Sequence, residues 1–481
     1  MTPLALDAKS QADTTKAEVL TEAIVSGVRA QKNAPYAVAN VGRKALQDFS
    51  GTGKELPFLL STTPGVLSWS GNGLGIGTSY LRIRGAGDSR INVTVDGVPL
   101  NSPEDQCVFW ANMNSYSALM ESVQIQRGVG SSTNGDGAFG GSVALRTKAP
   151  SYDPFVELNA SYGSYNTYNT GFSMSTGLLG NHFVADAAFH TTGTDGYIHG
   201  TAGKSGSWYA GLNWIGRDFI IRYRNIGNYE HTGQAWNGVT AGTDDLSIMD
   251  GTYGKNTGIK TYADMYREGL GKFNSLYESM DPKTYETTRY TLNDGSYWPK
   301  TTDNFWQDHN ILSAAWNINE NLKTTLSLHY TYGYGYYDEF KPDSKVSKFG
   351  FDMVKSNGKP LRSDFVRQKG LSQNAAGVVY NISYNNNGWD VIGGLSGQMF
   401  WGNHFGYLTY VSNKDVVNHY PGLAGLNDTD FDNGRYTYYD SDARKDDYSA
   451  FVKASRQFGE HFTVFADLQY RHVRYTTDGI N

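Results

Sequence analysis

From about residue 155 onward, the sequence alternates apolar and polar residues in segments roughly ten residues long. In 322–332 the even positions are mostly Leu and Tyr, whereas the odd positions are Lys, Thr, Ser and His. Successive side chains of a strand point to opposite faces, so this pattern predicts β-strands with one apolar and one polar face. Eleven such segments begin near residues 155, 167, 182, 206, 217, 307, 321, 375, 387, 447 and 460.

The links between these segments alternate in length. Every second link is tight, at 177–181, 214–218, 317–321, 384–388 and 456–460, and Asn387-Gly388 is the dipeptide of a two-residue hairpin turn. The intervening links are mostly long, at about 193–205, 226–306, 333–374 and 401–446, although the first (163–166) is short. Short turns at one end and long loops at the other are typical of an outer-membrane β-barrel.

The physics of a lipid environment agrees with this architecture. Only a closed barrel pairs every strand N–H and C=O in lipid, so we expect the apolar face outside and the polar face toward the lumen. The 34 Tyr, 10 Trp and 56 Gly suit a barrel with aromatic girdles, and no apolar run approaches the length of a membrane helix. Because single-chain bacterial barrels use an even number of strands, we expect the chain to be a fragment that ends at the start of an external loop. A soluble tyrosine-rich β protein is the alternative.

The first 149 residues lack this long, regular alternation of apolar and polar residues. Residues 1–18 are polar and predicted to be disordered, and 19–28 form a short apolar segment, suited to an edge strand or to pairing with a partner. Residues 29–149 predict a compact α+β domain, and 150–481 the barrel. The stretch 127–147 contains a GxGxxG pattern, but a strand rather than a helix follows it, so we reject a nucleotide-binding loop and expect glycine to serve close packing.

Four motifs of this first domain resemble the plug-domain signatures of TonB-dependent outer-membrane receptors, especially those of the Bacteroidetes type. They are YLRIRG (80–85), VTVDGVPLN (93–101), ESVQIQRG (121–128) and GAFGGSVALRT (137–147), in the order that the family has them. The resemblance covers about residues 19–481. It implies an antiparallel transmembrane barrel of 22 strands, about 11 of them present here, with the α+β plug in its lumen.

The resemblance also implies partners and a location. The segment Glu22, Ala23, Ile24, Val25 and Ser26 is similar to the TonB box, a loose match, to which TonB adds a strand. TonB works with ExbB and ExbD, so these proteins are implied partners as well. The implied location is the outer membrane of a Gram-negative bacterium, with outer-membrane lipid around the wall. A lipoprotein partner is left open.

Candidate ligand contacts follow from where the resemblance places the ligand, between the apical plug loops and the external barrel loops. Aromatic residues suited to stacking there are Trp69, Phe109, Trp110, Tyr229, Trp236, Tyr334 and Tyr336. For the plug aromatics, the alternative is packing of the plug against the barrel. Arg82, Arg84, Glu121 and Arg127 are predicted to form charge pairs between plug and barrel rather than to contact a ligand.

The functional prediction is TonB-driven import of a scarce ligand, first of all a ferric siderophore or similar metal chelate. Cobalamin, haem or an oligosaccharide are alternative ligands, and a surface sensor or adhesin on the same barrel is an alternative function. No HExxH, GxSxG or Walker motif is present, so we do not expect an enzyme. The net charge of −6 argues against nucleic acid as a partner. No cofactor is implied, and no metal site is predicted, because the acidic clusters at 244–245 and 440–442 lack EF-hand spacing.

Overall fold

The computed structural model describes residues 23–30, 36–129, 139–239, 241–251, 258–427 and 434–480. The segment 1–18 and Glu22 of the box-like segment lie outside these ranges. Two sheets dominate the described residues, one of five strands and one of eleven. None of the described helices is both long enough and apolar enough to cross a membrane.

Within the described ranges, the N-terminal domain contains seven short strands. They are β1 (Ala37–Gly42), β2 (Val66–Ser70), β3 (Ser79–Ile83), β4 (Ile91–Val95), β5 (Val98–Pro99), β6 (Met120–Arg127) and β7 (Gly141–Thr147). Five of them form a mixed sheet in the order β1-β6-β7-β4-β5, in which only β4 and β7 run parallel. β2 and β3 pair separately. Three short helices accompany the sheets: α1 (Arg43–Ser50), α2 (Pro57–Leu60) and α3 (Tyr116–Leu119).

The remaining strands follow from residue 154. They are β8 (Pro154–Tyr162), β9 (Tyr168–Thr176), β10 (Phe183–Thr194), β11 (Gly203–Ile215), β12 (Phe219–Gly233), β13 (Glu278–Met280), β14 (Thr287–Arg289), β15 (Thr302–Asn317), β16 (Leu322–Lys345), β17 (Lys355–Ser356), β18 (Lys359–Pro360), β19 (Arg362–Asn386), β20 (Trp389–Val411), β21 (Tyr436–Phe458) and β22 (Phe462–Ile480). Eleven of them pair in chain order into one antiparallel sheet, the wall, with β8 and β22 at its edges. The small pairs β13–β14 and β17–β18 lie in the long loops, as do helices α4 (Tyr262–Arg267) and α5 (Lys414–His419).

The wall has the polarity expected of a barrel in lipid. On β16, Leu326, Leu328 and Tyr330 are 42%, 48% and 41% exposed, whereas the alternating Ser327 and His329 are buried. The buried polar face is the one that meets the N-terminal domain, because the core of that domain includes Tyr209, Ile226 and Ile311 of the wall. The fold class predicted from the sequence, an antiparallel barrel wall with an α+β plug against its inner face, is therefore confirmed.

The tight turns agree with the sequence, but some loop boundaries do not. Asn387 and Gly388 have φ of 49° and 77°, as a two-residue hairpin turn of the primed type requires. However, β15, β19 and β21 begin at residues 302, 362 and 436, earlier than the predicted 307, 375 and 447. The predicted loops 333–374 and 401–446 are correspondingly too long. Strand pairing continues beyond the apolar band, where alternation of apolar residues no longer marks a strand.

Candidate functional site

A cavity of about 950 Å³ lies where the plug meets those ends of the wall strands that the long loops connect. This cavity, the vestibule, has the size of sites that enclose small-molecule ligands. Its lining combines plug residues with residues from β12, β15, β16, β19 and β20. Among the lining residues are Ser79, Tyr80, Asp88, Phe109, Trp110, Glu230, Trp236, Asp303, Tyr336, Tyr337, Glu339, Lys341, Arg367, Lys369 and His404.

Aromatic side chains of two kinds border the vestibule. Phe109 is 52% exposed and so can contact a ligand directly. Trp110 is buried, and its indole N–H donates to Asp88 Oδ1 at 3.3 Å, so it fixes the floor of the cavity instead. Burial raises the pKa of Asp88 above its usual value. On the wall side, Trp236 packs edge-to-face on Tyr337, with ring centroids 5.4 Å apart.

One side of the vestibule is cationic. Glu339 of β16 is 2% exposed and pairs with both Lys341 and Arg367, whose Nη2 lies 2.7 Å from Glu339 Oε2. Lys369, two residues further along β19, stands over the Tyr439 ring, with Nζ 5.2 Å from its centroid. Three cations and a single carboxylate thus line this side, which gives it a net positive charge suited to anionic ligand groups.

The neighbouring side of the vestibule is acidic. Glu230 of β12 pairs in register with Phe305 of β15, and Asp303 of β15 pairs in register with Tyr337 of β16. Tyr337 in turn pairs in register with Lys369 of β19. The register therefore places acids on β12 and β15 and cations on β16 and β19, with the Tyr337 ring between them. Charge is segregated around the rim of the cavity.

Buried polar contacts attach the plug to the wall below the vestibule. Asp96, in the turn between β4 and β5, forms an ion pair with Arg224 of β12, and both side chains are fully buried. Burial alone would raise the pKa of Asp96, but the charges of Arg224 and Arg222 and hydrogen bonds from Thr147 outweigh it and hold the pKa below its usual value. Arg224 also donates to the hydroxyl of Ser313.

A second attachment lies near the vestibule. Glu104 of the plug contacts His404 Nε2 of β20 at 2.6 Å and accepts from the Tyr475 hydroxyl of β22 at 2.8 Å. Burial would raise the pKa of Glu104, but these two hydrogen bonds lower it overall. Lys445 of β21 donates to the Pro103 carbonyl at 2.6 Å. The apical loop 103–104 is therefore tied to three wall strands.

The box-like segment has a conformation that the sequence did not predict. Residues 23–28 form a helical turn rather than an extended strand, with Val28 N donating to Val25 O at 3.1 Å. Ile24 is 2% exposed and packs in one cluster with Ile215 and Ile220 of the wall. Lys453 of β21 donates to the Gly27 carbonyl at 2.9 Å. Burial of the apolar side chains stabilises the turn, so a partner cannot add a strand here until the segment is released.

The structure places some of the predicted ligand contacts in the vestibule and others outside it. Phe109, Trp110, Trp236 and Tyr336 line the vestibule. Trp69 stands one layer away, stacked on Tyr80 at 5.1 Å. Tyr229 and Tyr334 pair with Trp306, which is 47% exposed on the outer face, so strand alternation places both tyrosines on that face rather than in the lumen.

The four predicted plug–barrel charges contact the plug itself. Arg82 lies over the Trp69 ring, Glu121 lies 3.8 Å from Arg43, and Arg127 donates to the Pro64 carbonyl at 2.7 Å. Arg84 lies beside Gly128, where an added Cβ would come within 2.7 Å of Arg84 Nη1. The sequence did not single out several residues that do connect plug and wall in the described ranges, among them Asp96, Glu104, Arg222, Arg224, His404 and Lys453. Arg222 and Arg224 lie two residues apart on one strand and therefore share a face. Two arginines on one face of a barrel strand indicate that this face points to the lumen rather than to lipid.

The chain is similar to known proteins in part of its sequence and in its fold. The sequence model of the TonB-dependent receptor plug domain matches residues 30–142. The ferric-catecholate import receptor Fiu of E. coli K12, in its closed form, has a similar structure, with a TM-score of 0.61, 13% identity, and coverage of 93% of this chain and 57% of that chain. No curated protein sequence matches the chain.

Two further solved structures are similar. The ferric yersiniabactin uptake receptor FyuA of Yersinia pestis has a TM-score of 0.60 and 12% identity, with coverage of 92% of this chain and 57% of that chain. FpvA of P. aeruginosa, bound to heterologous pyoverdines and iron, has a TM-score of 0.61 and 12% identity, with coverage of 95% and 54%. The chain thus spans less than two thirds of the length of these receptors, and at such identities the likeness shows the fold.

Proposed function

The chain has the plug and barrel architecture of a TonB-dependent receptor rather than that of an enzyme, and from this premise we propose that it binds a ferric siderophore or similar metal chelate outside the cell. Release of the box-like segment to TonB, which is energised with ExbB and ExbD, then drives import into the periplasm. The proposed location is the outer membrane of a Gram-negative bacterium.

The observation that carries the proposal is the vestibule. It is about 950 Å³ in volume, lies directly above the plug, and is bordered by aromatic rings. Its cationic side, with Lys341, Arg367 and Lys369 around Glu339, suits the anionic oxygen donors of a metal chelate. Among the similar receptors, Fiu imports ferric catecholate, FyuA takes up ferric yersiniabactin, and FpvA binds pyoverdine with iron.

The attachments below the vestibule suit a plug that must move. Alongside apolar contacts of the plug core with wall residues such as Ile226, they include hydrogen bonds and ion pairs against a polar inner face, such as Asp96 to Arg224, and Glu104 to His404 beside the vestibule. Rearrangement of such contacts lets water replace the lost partners, so it exposes less apolar surface than separation of a dry interface. The box-like residues Glu22, Ala23, Ile24, Val25 and Ser26 are the proposed TonB contacts.

The test is binding and uptake of a panel of ligands. Purified protein is titrated with ferric catecholate, ferric hydroxamate and ferric citrate, and with cobalamin, haem and an oligosaccharide, while tryptophan fluorescence is recorded. Uptake of radioactive iron is compared in cells with and without the gene, and with and without TonB. We expect at least one ferric chelate to bind and to be imported only when TonB is present. If none of the ferric chelates binds, or if uptake does not depend on TonB, the proposal is wrong.

A further inference from the structure

Three carboxylates lie together on the acidic side of the vestibule. Glu230 and Asp303 line the cavity, and Glu55 of the plug is buried behind Ser79, close enough that its charge acts on Glu230. Glu230 is 5% exposed and Glu55 is 1% exposed. Glu55 Oε1 accepts from the Gly77 N–H, and Glu230 Oε2 accepts from the Thr232 hydroxyl at 3.0 Å. These contacts hold the Glu55 and Glu230 carboxyl groups in place but bring no positive charge to them.

The cluster lacks a countercharge within the described ranges. No Lys or Arg there forms an ion pair with any of the three, in contrast to Glu339, which has two such partners. The groups beside the Glu55 carboxyl are neutral, namely the Gly77 N–H and the Ser79 hydroxyl. Burial without a countercharge disfavours the ionised form, and it raises the pKa of Glu55 to about 8. The arrangement is therefore one that gains stability when a cation enters.

The geometry distinguishes between kinds of cation. In the described part of the chain, no three His, Cys, Asp or Glu side chains lie close enough together to hold a metal ion. A metal needs several oxygens within one coordination shell, whereas an ammonium or guanidinium group spreads several N–H donors over a larger volume. Trp236 and Tyr337, packed edge-to-face beside Asp303, add aromatic surface that attracts such a group.

We propose that Glu230 and Asp303, with Glu55 behind them, form a subsite for an ammonium or guanidinium group carried by the ligand. The inference rests on the proposed function, since the group belongs to the imported chelate, and it narrows the ligand class. The ligand carries an organic cation at one end, on the β12 and β15 side, and its anionic donors at the other end, on the β16 and β19 side. The segregation of charge around the vestibule sets its orientation.

The subsite is tested without knowledge of the full ligand. Methylguanidinium and its neutral analogue methylurea are titrated against purified protein, with the fluorescence of the tryptophans bordering the vestibule as the readout. We expect methylguanidinium to bind, methylurea not to bind, and Glu230→Gln and Asp303→Asn each to weaken binding by about tenfold. Asp244→Asn, which removes an exposed acid of an external loop, is the matched control and leaves binding unchanged. Thermal unfolding of each variant shows that it is folded.

The outcomes separate this inference from the proposed function. Equal binding of methylurea, or wild-type binding by both folded variants, overturns the subsite. Tight binding of calcium chloride, with no binding of methylguanidinium, overturns the assignment to an organic cation. If cation binding is absent while ferric chelate uptake persists, only the subsite is wrong. If the subsite binds methylguanidinium as expected but no chelate is taken up, the proposed function is wrong.

Discussion

The ion pair between Asp96 and Arg224 offers the most direct measure of how firmly the plug is held. Both side chains are fully buried, and Asp96 also accepts from the Thr147 N–H at 2.9 Å and from the Thr147 hydroxyl at 2.6 Å. Asp96→Asn keeps the shape of the side chain but leaves the Arg224 guanidinium without its carboxylate. Removal of one partner of a buried ion pair costs about 3–5 kcal/mol.

The expected effect can be stated in units of denaturant. A domain of this size loses about 2 kcal/mol of stability per molar urea, so a loss of about 4 kcal/mol lowers the unfolding midpoint of the plug by about 2 M. Hydrogen exchange of the backbone amides of β4 and β7 reports this directly, because unfolding of the plug exposes these amides to solvent. Asp96→Asn is expected to open at lower urea than the wild type, while the hydrogen-bonded wall persists.

Two controls make the result interpretable. Asp48→Asn removes an exposed carboxylate that pairs with Lys44 on α1, and its midpoint is expected to stay near that of the wild type. The double variant Asp96→Asn with Arg224→Gln removes both charges, so it is expected to lose less stability than the sum of the two single variants. If Asp96→Asn opens at the same urea concentration as the wild type, the ion pair does not hold the plug and the reasoning is refuted.

Three further predictions follow from the plug and the vestibule. Because the pKa of Glu55 is about 8 in the folded plug and 4.5 ordinarily, the folded state holds this proton more tightly, so stability contributed by Glu55 is present below about pH 4.5 and is lost as pH rises toward 8. The urea midpoint measured across this range should fall less in Glu55→Gln than in the wild type; equal slopes contradict the assignment. Lys453→Met removes the donor to the Gly27 carbonyl and should speed labelling of a cysteine placed at Ser26, while an unchanged rate shows that the contact does not restrain the segment. Phe109→Ala should weaken binding of the imported chelate by about tenfold, whereas Tyr266→Ala, which removes an exposed ring on α4, should not; equal effects argue against Phe109 as a ligand contact.

The strand architecture could be read from the sequence because its cause is local. Alternation at every second residue fixes which face of a strand is apolar, and lipid outside with polar groups inside makes that alternation strong in segments such as 322–332. The Asn387-Gly388 turn is equally local, since it depends on the φ preferences of two residues. Likewise, the four plug motifs lie in continuous stretches, and they pointed to the receptor family without any structure.

The contacts that hold the plug and shape the vestibule depended on tertiary structure. Asp96 and Arg224 are 128 residues apart, and Glu104 and His404 are 300 residues apart, so no local pattern pairs them. The box-like segment has an apolar pattern that suits a strand, yet burial against Ile215 and Ile220 of the wall favours a helical turn. Tyr334 is an aromatic residue of the kind that contacts ligands, but the register of β16 places it on the outer face. Sequence determined the faces of each strand. The packing of distant strands against the plug decided which side chains meet, because ion pairs and buried contacts form only between groups that the whole fold brings together.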